Sequence, residues 1–307
     1  MWDCETDLRS LVRSIEPSPA QKSAASRSHT YLRDVLGTGQ FGNRILDSYL
    51  SGSYARSTAI SPIDDVDIVI VVDPDGWRAS FWGCNPEPGR ILQSFASAIR
   101  YRYQQSSVYV QRRSVRLSLH HLDIDVVPAI EVNGGQYRVQ IPDADSGEWI
   151  TSAPKMHTVI STKINQAQGG RFKPLVKLLK YWNSQLPKTA YLKSFAIETM
   201  AARLFHKVNL PTLQEGLRCF FDFMAGCANQ AVLYRWPDNY GIQMNWWADE
   251  VPDLAGTGSN LLARVDSDRR TKFLEHVVRS RDALILAEKA RTLESTVRHI
   301  GSALRMG

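Results

Sequence analysis

The chain is short of several things, and each shortage removes a class of protein. Its 307 residues include four cysteines, Cys4, Cys84, Cys219 and Cys227, spaced neither as a disulfide framework nor as paired metal ligands. A disulfide-stapled scaffold and a zinc ribbon are thereby set aside, and a reducing cytoplasm is the expected setting. No apolar run is long enough to cross a bilayer and no secretory signal opens the chain, so no membrane association is expected. Internal repeats and low-complexity tracts are missing, which leaves out solenoids and disordered linkers. The net charge of +6 is spread rather than clustered, which suits an anionic ligand such as a nucleotide better than a long nucleic-acid track. At 43% hydrophobic and 22% charged, the chain has the composition of a globular protein with one large core or two modest ones.

Against that background two acidic strands stand out. The run Ile63-Asp64-Asp65-Val66-Asp67-Ile68-Val69-Ile70-Val71-Val72 reads as a buried strand with carboxylates at its entrance. Residues two apart on a strand share a face, so Asp65 and Asp67 project together. Charged neighbours of one sign are costly unless a counter-charge neutralises them, and a divalent cation is the usual one. The run Leu122-Asp123-Ile124-Asp125-Val126-Val127-Pro128 repeats the device, with Asp123 and Asp125 on one face and apolar residues on the other. Two such strands in one sheet bring carboxylates to a common point. Upstream, Gly52-Ser53-Tyr54-Ala55-Arg56-Ser57-Thr58 forms a Gly-Ser turn able to offer N–H groups and a hydroxyl to a phosphate. Phosphate donors beside a divalent-cation site are the parts of phosphoryl or nucleotidyl transfer.

The rest of the chain divides by pattern. Helices are predicted over Asp7–Ile15, Ala20–Leu36 and Ile91–Tyr103, and strands over Asp67–Val72, Val108–Leu117 and Leu122–Ala129. Asn133-Gly134-Gly135 between β-type runs predicts a hairpin over Glu131–Ile141. Beyond Pro154 the periodicity turns helical, over Phe172–Gln185, Phe195–Val208, Leu213–Ala228 and a final helix or pair from Arg264 to Leu304. The predicted class is α+β, with residues 1–160 as a mixed core carrying the acids and 161–307 as a helical domain.

Other motifs carry less. Gly37-Thr38-Gly39-Gln40-Phe41-Gly42 matches G-x-G-x-x-G but follows a helical pattern rather than a strand, so it reads as a helix C-terminus and loop. His120-His121 lacks the further ligands that zinc requires and reads as packed strand histidines. Trp77, Trp82 and Trp246-Trp247 read as packing residues rather than base platforms. Lys177 and Lys180 lie on one helix, and Ser194, in Lys193-Ser194-Phe195-Ala196-Ile197-Glu198, reads as a helix N-cap.

Taken together, the Gly-Ser turn, Asp65-Val66-Asp67 and the Asp125 strand resemble the polymerase-β-like nucleotidyltransferases. Leu178-Leu179-Lys180-Tyr181-Trp182, Lys193-Ser194-Phe195 and Val251-Pro252-Asp253 with Gly258-Ser259-Asn260-Leu261 narrow this to the cGAS/DncV-like nucleotidyltransferases (CD-NTases) of bacterial anti-phage signalling. The resemblance implies a polymerase-β-like mixed sheet completed by an oligoadenylate-synthetase-like helical domain, with nucleotides bound in the cleft between them. It implies two Mg²⁺ ions, or Mn²⁺, on Asp65, Asp67 and Asp125. Gly52 and Ser53 would contact the donor triphosphate, as would Lys180 and Ser194, and Phe195 would stack on the donor base. The late loop has Asp253-Leu254 and Ser259-Asn260 where the family usually has Asp-Pro and Asn-Asn, so no role is carried onto it. The implied activity joins NTPs, ATP among them, into a cyclic di- or trinucleotide with release of pyrophosphate. The implied partners are a separate cyclic-nucleotide-responsive effector and a regulatory protein. Two alternatives share the motifs: an RNA-extending, tRNA-type nucleotidyltransferase, and an inactive nucleotide-binding regulatory protein on the same fold.

Overall fold

The computed structural model describes residues 4–39, 41–77, 86–132, 137–228, 250–290 and 292–305. The chain separates into two compact units, residues 17–159 and residues 1–16 with 160–307. The helix attached to the first domain on sequence grounds therefore packs with the later helices, and the division falls inside the helix α5 (Pro154–Ala167).

The first unit is built on a sheet. Its strands are β1 (Ile45–Ser51), β2 (Asp65–Val72), β3 (Ser107–Val110), β4 (Val115–Ser118), β5 (Asp123–Glu131), β6 (Val139–Asp143) and β7 (Glu148–Ser152). The order is β1-β2-β5-β4-β3, and β6 pairs with the far end of β5 and with β7. Among the described strands only β2 and β5 run parallel; the other pairings are antiparallel.

One face of this sheet is a closed core. Val66, Ile68, Ile70 and Val72 of β2 meet Ile124 and Val126 of β5 and Val115 and Leu117 of β4. Two helices cover them, α2 (Pro19–Thr38) through Leu32 and Leu36, and α4 (Pro88–Arg102) through Ile91, Leu92, Phe95 and Ile99. The start of α2 is set by a capping box: Gln21 N–H donates to Ser18 Oγ at 3.2 Å and Ser18 N–H donates to Gln21 Oε1 at 2.8 Å. The other face is apolar towards the C-terminal ends of β2 and β5, where Val69, Val71, Ala129 and Val139 pack with Tyr49 and Val127. At the N-terminal ends of the same strands that face is acidic.

Three local readings change. Val108–Leu117 is a tight hairpin, β3 and β4, rather than one strand. Gln111 N–H closes its turn on Ser114 O at 2.8 Å, and Arg112 and Arg113 point from that turn to the buried Asp143. Alternation alone does not show this, because both arms keep the same period. The edge strand β1 is half exposed and its apolar signal is correspondingly weak, so it escaped the pattern. His120 and His121 lie exposed in the β4–β5 turn, with His121 Nε2 3.0 Å from Ser28 Oγ. Thr38, Gly39 and Gly42 form the end of α2 and the loop after it, as the pattern indicated. Gln40, Trp82, Asn133-Gly134-Gly135 and Trp246-Trp247 lie outside the described residues.

The second unit is helical: α1 (Glu5–Ile15), α6 (Phe172–Ser184), α7 (Ser194–Phe205), α8 (Leu213–Ala228), α9 (Ser267–Lys289) and α10 (Leu293–Arg305). Trp182 on α6 organises its centre. The indole meets Phe221 of α8 and Phe273 of α9 edge-on, at 4.9 and 5.5 Å between ring centres. Its Nε1–H donates to Ser280 Oγ at 2.9 Å, and that hydroxyl donates to Ala303 O at 2.7 Å, so the buried polar atoms are satisfied across three helices.

Candidate active site

Strand register assembles the acids. In the parallel β2–β5 pair Asp65 lies opposite Asp123 and Asp67 opposite Asp125. All four carboxylates share the face opposite the helix-covered core, because the alternate residues Val66, Ile68, Ile124 and Val126 point into it. Asp125 is buried at 7% exposure, whereas Asp65 and Asp123 remain partly open.

The Gly-Ser turn closes on this face from β1. Ser51 lies opposite Asp67, and the chain then turns through Gly52 at φ +66° into the four-residue helix α3 (Gly52–Ala55). A Cβ at residue 52 would stand 1.7 Å from Asp67 Oδ2. Glycine is required twice, for the left-handed backbone and for the close approach to the carboxylate. Ser53 is half-buried on α3, and its carbonyl accepts Thr58 N–H at 3.0 Å, which returns the loop beneath the turn.

The electrostatics are those of crowded carboxylates. Burial, together with the charges of Asp65 and Asp125, raises Asp67 to about 7, although Arg56 and Arg116 pull the other way. Asp65 is raised as well, first by burial and then by Asp125. Arg116 on β4 is the functional residue that sequence pattern missed. It lies directly opposite Asp125, and its Nε and Nη2 donate to the two Asp125 oxygens at 2.8 and 2.6 Å. Its Nη1 donates to Asp123 Oδ2 at 3.0 Å, and Asp65 Oδ2 stands 4.0 Å from Nη2. The hydrogen bonds to Asp125 raise the Arg116 pKa further. The one signal in the sequence was a basic residue between two core-facing positions of a strand, Val115 and Leu117, which does not reveal its partner.

The donor set fits a hard divalent cation: carboxylate oxygens crowd one face, and burial together with the charges of Asp65 and Asp125 holds Asp67 reluctant to ionise. The charges of Arg56 and Arg116 offset part of that crowding. Among the described residues, no three Asp, Glu, His or Cys side chains already converge at metal-holding distance. Asp65, Asp67 and Asp125 could hold such an ion.

The sequence-predicted residues of the helical unit have their own setting. Lys180 on α6 is buried at 3% exposure, with Nζ 3.3 Å from Glu198 of α7. Lys177 pairs instead with Glu16 at 2.6 Å. Ser194 is the first residue of α7, whose N-cap is Lys193, and the Ser194 hydroxyl lies 3.3 Å from Tyr191 OH. Phe195 follows it, half-buried. In the late loop Asn260 Oδ1 accepts Val251 N–H and Leu262 N–H, and Thr257 donates to Asp253, so both side chains serve the loop's own structure.

Comparison with known proteins finds relatives of this chain. Residues 3–165 match the sequence profile of the Second Messenger Oligonucleotide or Dinucleotide Synthetase domain. The chain is 31% identical over 270 residues to the cyclic AMP-AMP-AMP synthase of Acinetobacter sp. (strain ATCC 27244 / 9458), covering 87% of this chain and 74% of that protein. Among solved structures, Escherichia coli MS115-1 CdnC with ATP superposes with a TM-score of 0.75 at 19% identity, covering 99% of this chain and 98% of the other. The CdnC:HORMA-deltaN complex from the same strain gives a TM-score of 0.73 at 20% identity, over 97% and 96% of the two chains. No helix among the described residues is long and apolar enough to cross a membrane.

Proposed function

This chain belongs to the CD-NTase family of nucleotidyltransferases, which make cyclic nucleotide second messengers, and from that premise we propose that it joins ATP into a cyclic trinucleotide and releases pyrophosphate. The observation that carries the reading is the β2–β5 register, which sets Asp67 beside Asp125 under the glycine turn. The 31% identity to a cyclic AMP-AMP-AMP synthase supports ATP and a ring of three nucleotides.

In this proposal Asp65, Asp67 and Asp125 hold two Mg²⁺ ions, with Mn²⁺ as a substitute. Bound there, the ions supply charge neutralisation of the triphosphate and activation of the attacking ribose hydroxyl. The chain's own residues do the positioning. Gly52 lets its backbone approach the acids and the phosphates together, and the Ser53 hydroxyl binds the donor triphosphate. In the helical unit Lys180, oriented by Glu198, and Ser194 are the proposed triphosphate contacts, and Phe195 is the proposed stacking partner of the donor base. Positioning and charge suffice for in-line transfer, without a covalent enzyme intermediate. The product would signal to a separate effector in anti-phage defence, in the cytoplasm where NTPs are made, under control of a regulatory protein.

Incubation with all four NTPs and Mg²⁺ or Mn²⁺, with and without RNA, tests this by mass spectrometry and pyrophosphate release. A cyclic adenylate made without RNA is the expected product. Extended RNA would favour the tRNA-type activity instead, and nucleotide binding with no pyrophosphate release would identify an inactive binding protein.

A further inference from the structure

We infer that Arg116 and Asp123 form a release catch on the third acid: Arg116 clamps Asp125, and Asp123 is the anchor that retains the guanidinium when a divalent cation takes Asp125. The inference rests on the cation-binding reading of Asp65, Asp67 and Asp125. It gives Asp123 a role distinct from theirs.

The geometry divides the guanidinium's donors between two acids. Nε and Nη2 form a two-pronged fork on Asp125 at 2.8 and 2.6 Å, and Nη1 alone reaches Asp123 at 3.0 Å. Such a fork engages both oxygens of a carboxylate along its favoured directions. A guanidinium also cannot shed its proton to make way for another cation. A divalent ion on Asp125 therefore meets a fixed positive charge at close range, and the clamp and the ion compete.

The two acids differ in where they would leave the arginine. The Asp125 side chain is 10% exposed and the Asp123 side chain 29%. Letting go of Asp125 while keeping Asp123 moves the guanidinium along the same face towards its more exposed end, away from Asp67. The charge stays paired throughout, so release avoids the cost of stranding an arginine in a partly buried site. Asp123 lies two residues before Asp125 on the same face, which is the spacing that lets one side chain serve both. Arg116 and Asp123 are thus positioning residues: each acts on the metal site through Asp125.

The test is Mn²⁺ affinity of the full-length protein, read from the electron paramagnetic resonance signal of free Mn²⁺, with circular dichroism confirming the fold. Arg116→Gln should bind Mn²⁺ about tenfold more tightly than the native protein, the scale on which neighbours of ligands act. Asp123→Asn should bind several-fold more weakly, because the arginine's remaining charged hydrogen-bond acceptor is then Asp125. The double variant should match Arg116→Gln. Weaker or unchanged binding in folded Arg116→Gln would overturn the catch, since it would make Arg116 a mere support. A double variant weaker than Arg116→Gln would overturn it too, by making Asp123 a ligand. Should Arg116→Gln fail to fold, Arg116→Lys removes the fork while keeping the charge and should bind Mn²⁺ more tightly than the native protein; no gain would overturn the catch. Asp67→Asn separates the two levels. If it binds Mn²⁺ as the native protein does, the acid-site reading fails and the catch with it. If it loses Mn²⁺ while Arg116→Gln is unchanged, only the catch fails.

Discussion

The two units handle buried charge in opposite ways. In the helical unit Lys180 and Glu198 are each almost fully enclosed and face one another, a balanced pair within a finished core. In the sheet unit four carboxylates share a face, Arg116 is in direct contact with two of them, the charge of Arg56 also acts on Asp67, and Asp67 is driven up to about 7 by burial and its acidic neighbours. A balanced pair contributes mainly when one member is removed. A crowded acidic face is under strain as it stands, and residues held this way concentrate at sites that bind and react. The lesson is that changes at the acids should cost chemistry and spare the fold, whereas changes at the Lys180 pair should cost the fold as well.

The largest expected effect tests the acidic side of that contrast. Asp67→Asn should lower pyrophosphate release on the order of 10³-fold, while thermal unfolding shows a midpoint no lower than the native one. Native turnover in the folded variant would remove Asp67 from the chemistry. Next comes the balanced pair. Lys180→Ala removes the ion pair of the buried Glu198 and should cost about 3 kcal/mol in urea unfolding, together with weaker nucleotide binding. A loss of nucleotide affinity with unchanged stability would break the comparison, because Lys180 would then behave like the acids.

Gly52→Ala should cost about 2 kcal/mol and most of the turnover, since it combines a left-handed backbone with a Cβ against Asp67. Unimpaired turnover there would show that the turn relaxes freely. A smaller effect follows pH. Asp67 titrates near 7 in the fold against an ordinary 3.8, so the folded chain holds a proton that the unfolded chain gives up between those values. Its contribution to stability is complete below about pH 4 and is lost as pH rises through 7. A divalent cation binds the ionised form, so the rise in unfolding temperature on adding Mg²⁺ should grow between pH 5 and pH 8. An equal rise at both would exclude Asp67 as a ligand. The smallest effect is expected at Arg113→Ala. Arg113 is half-exposed, and Arg112 also holds Asp143, so the loss should stay below about 1 kcal/mol. A larger loss would make the β3–β4 turn a second point of charge strain in the sheet unit.

Much of the fold was legible because its strongest elements have unambiguous periods. The strands β2 and β5 and the helices α2, α4, α6 and α8 fall where apolar spacing puts them, and the α+β class follows. The acids were legible for the same reason: a carboxylate every second residue in an apolar strand has no packing explanation. The strand β1 was not, because an edge strand half open to water has little alternation to show. The placement of α1 was not either. Leu8, Val12 and Ile15 show that the helix has an apolar face, but not which core the face joins. Lys180 was legible as a family position, whereas its enclosure with Glu198 depends on the packing of α6 against α7.

The sequence by itself determined which side chains share a face, since strand and helix periods are local properties of the backbone. It thereby settled that Asp65 goes with Asp67 and Asp123 with Asp125. Only the tertiary structure decided which pairs meet. Parallel pairing of β2 with β5 put Asp67 beside Asp125, antiparallel pairing of β4 with β5 put Arg116 on both later acids, and the turn after β1 laid Gly52 against Asp67. Strand partner and register are set by the burial of whole faces across segments far apart in the chain, and no local pattern contains that information.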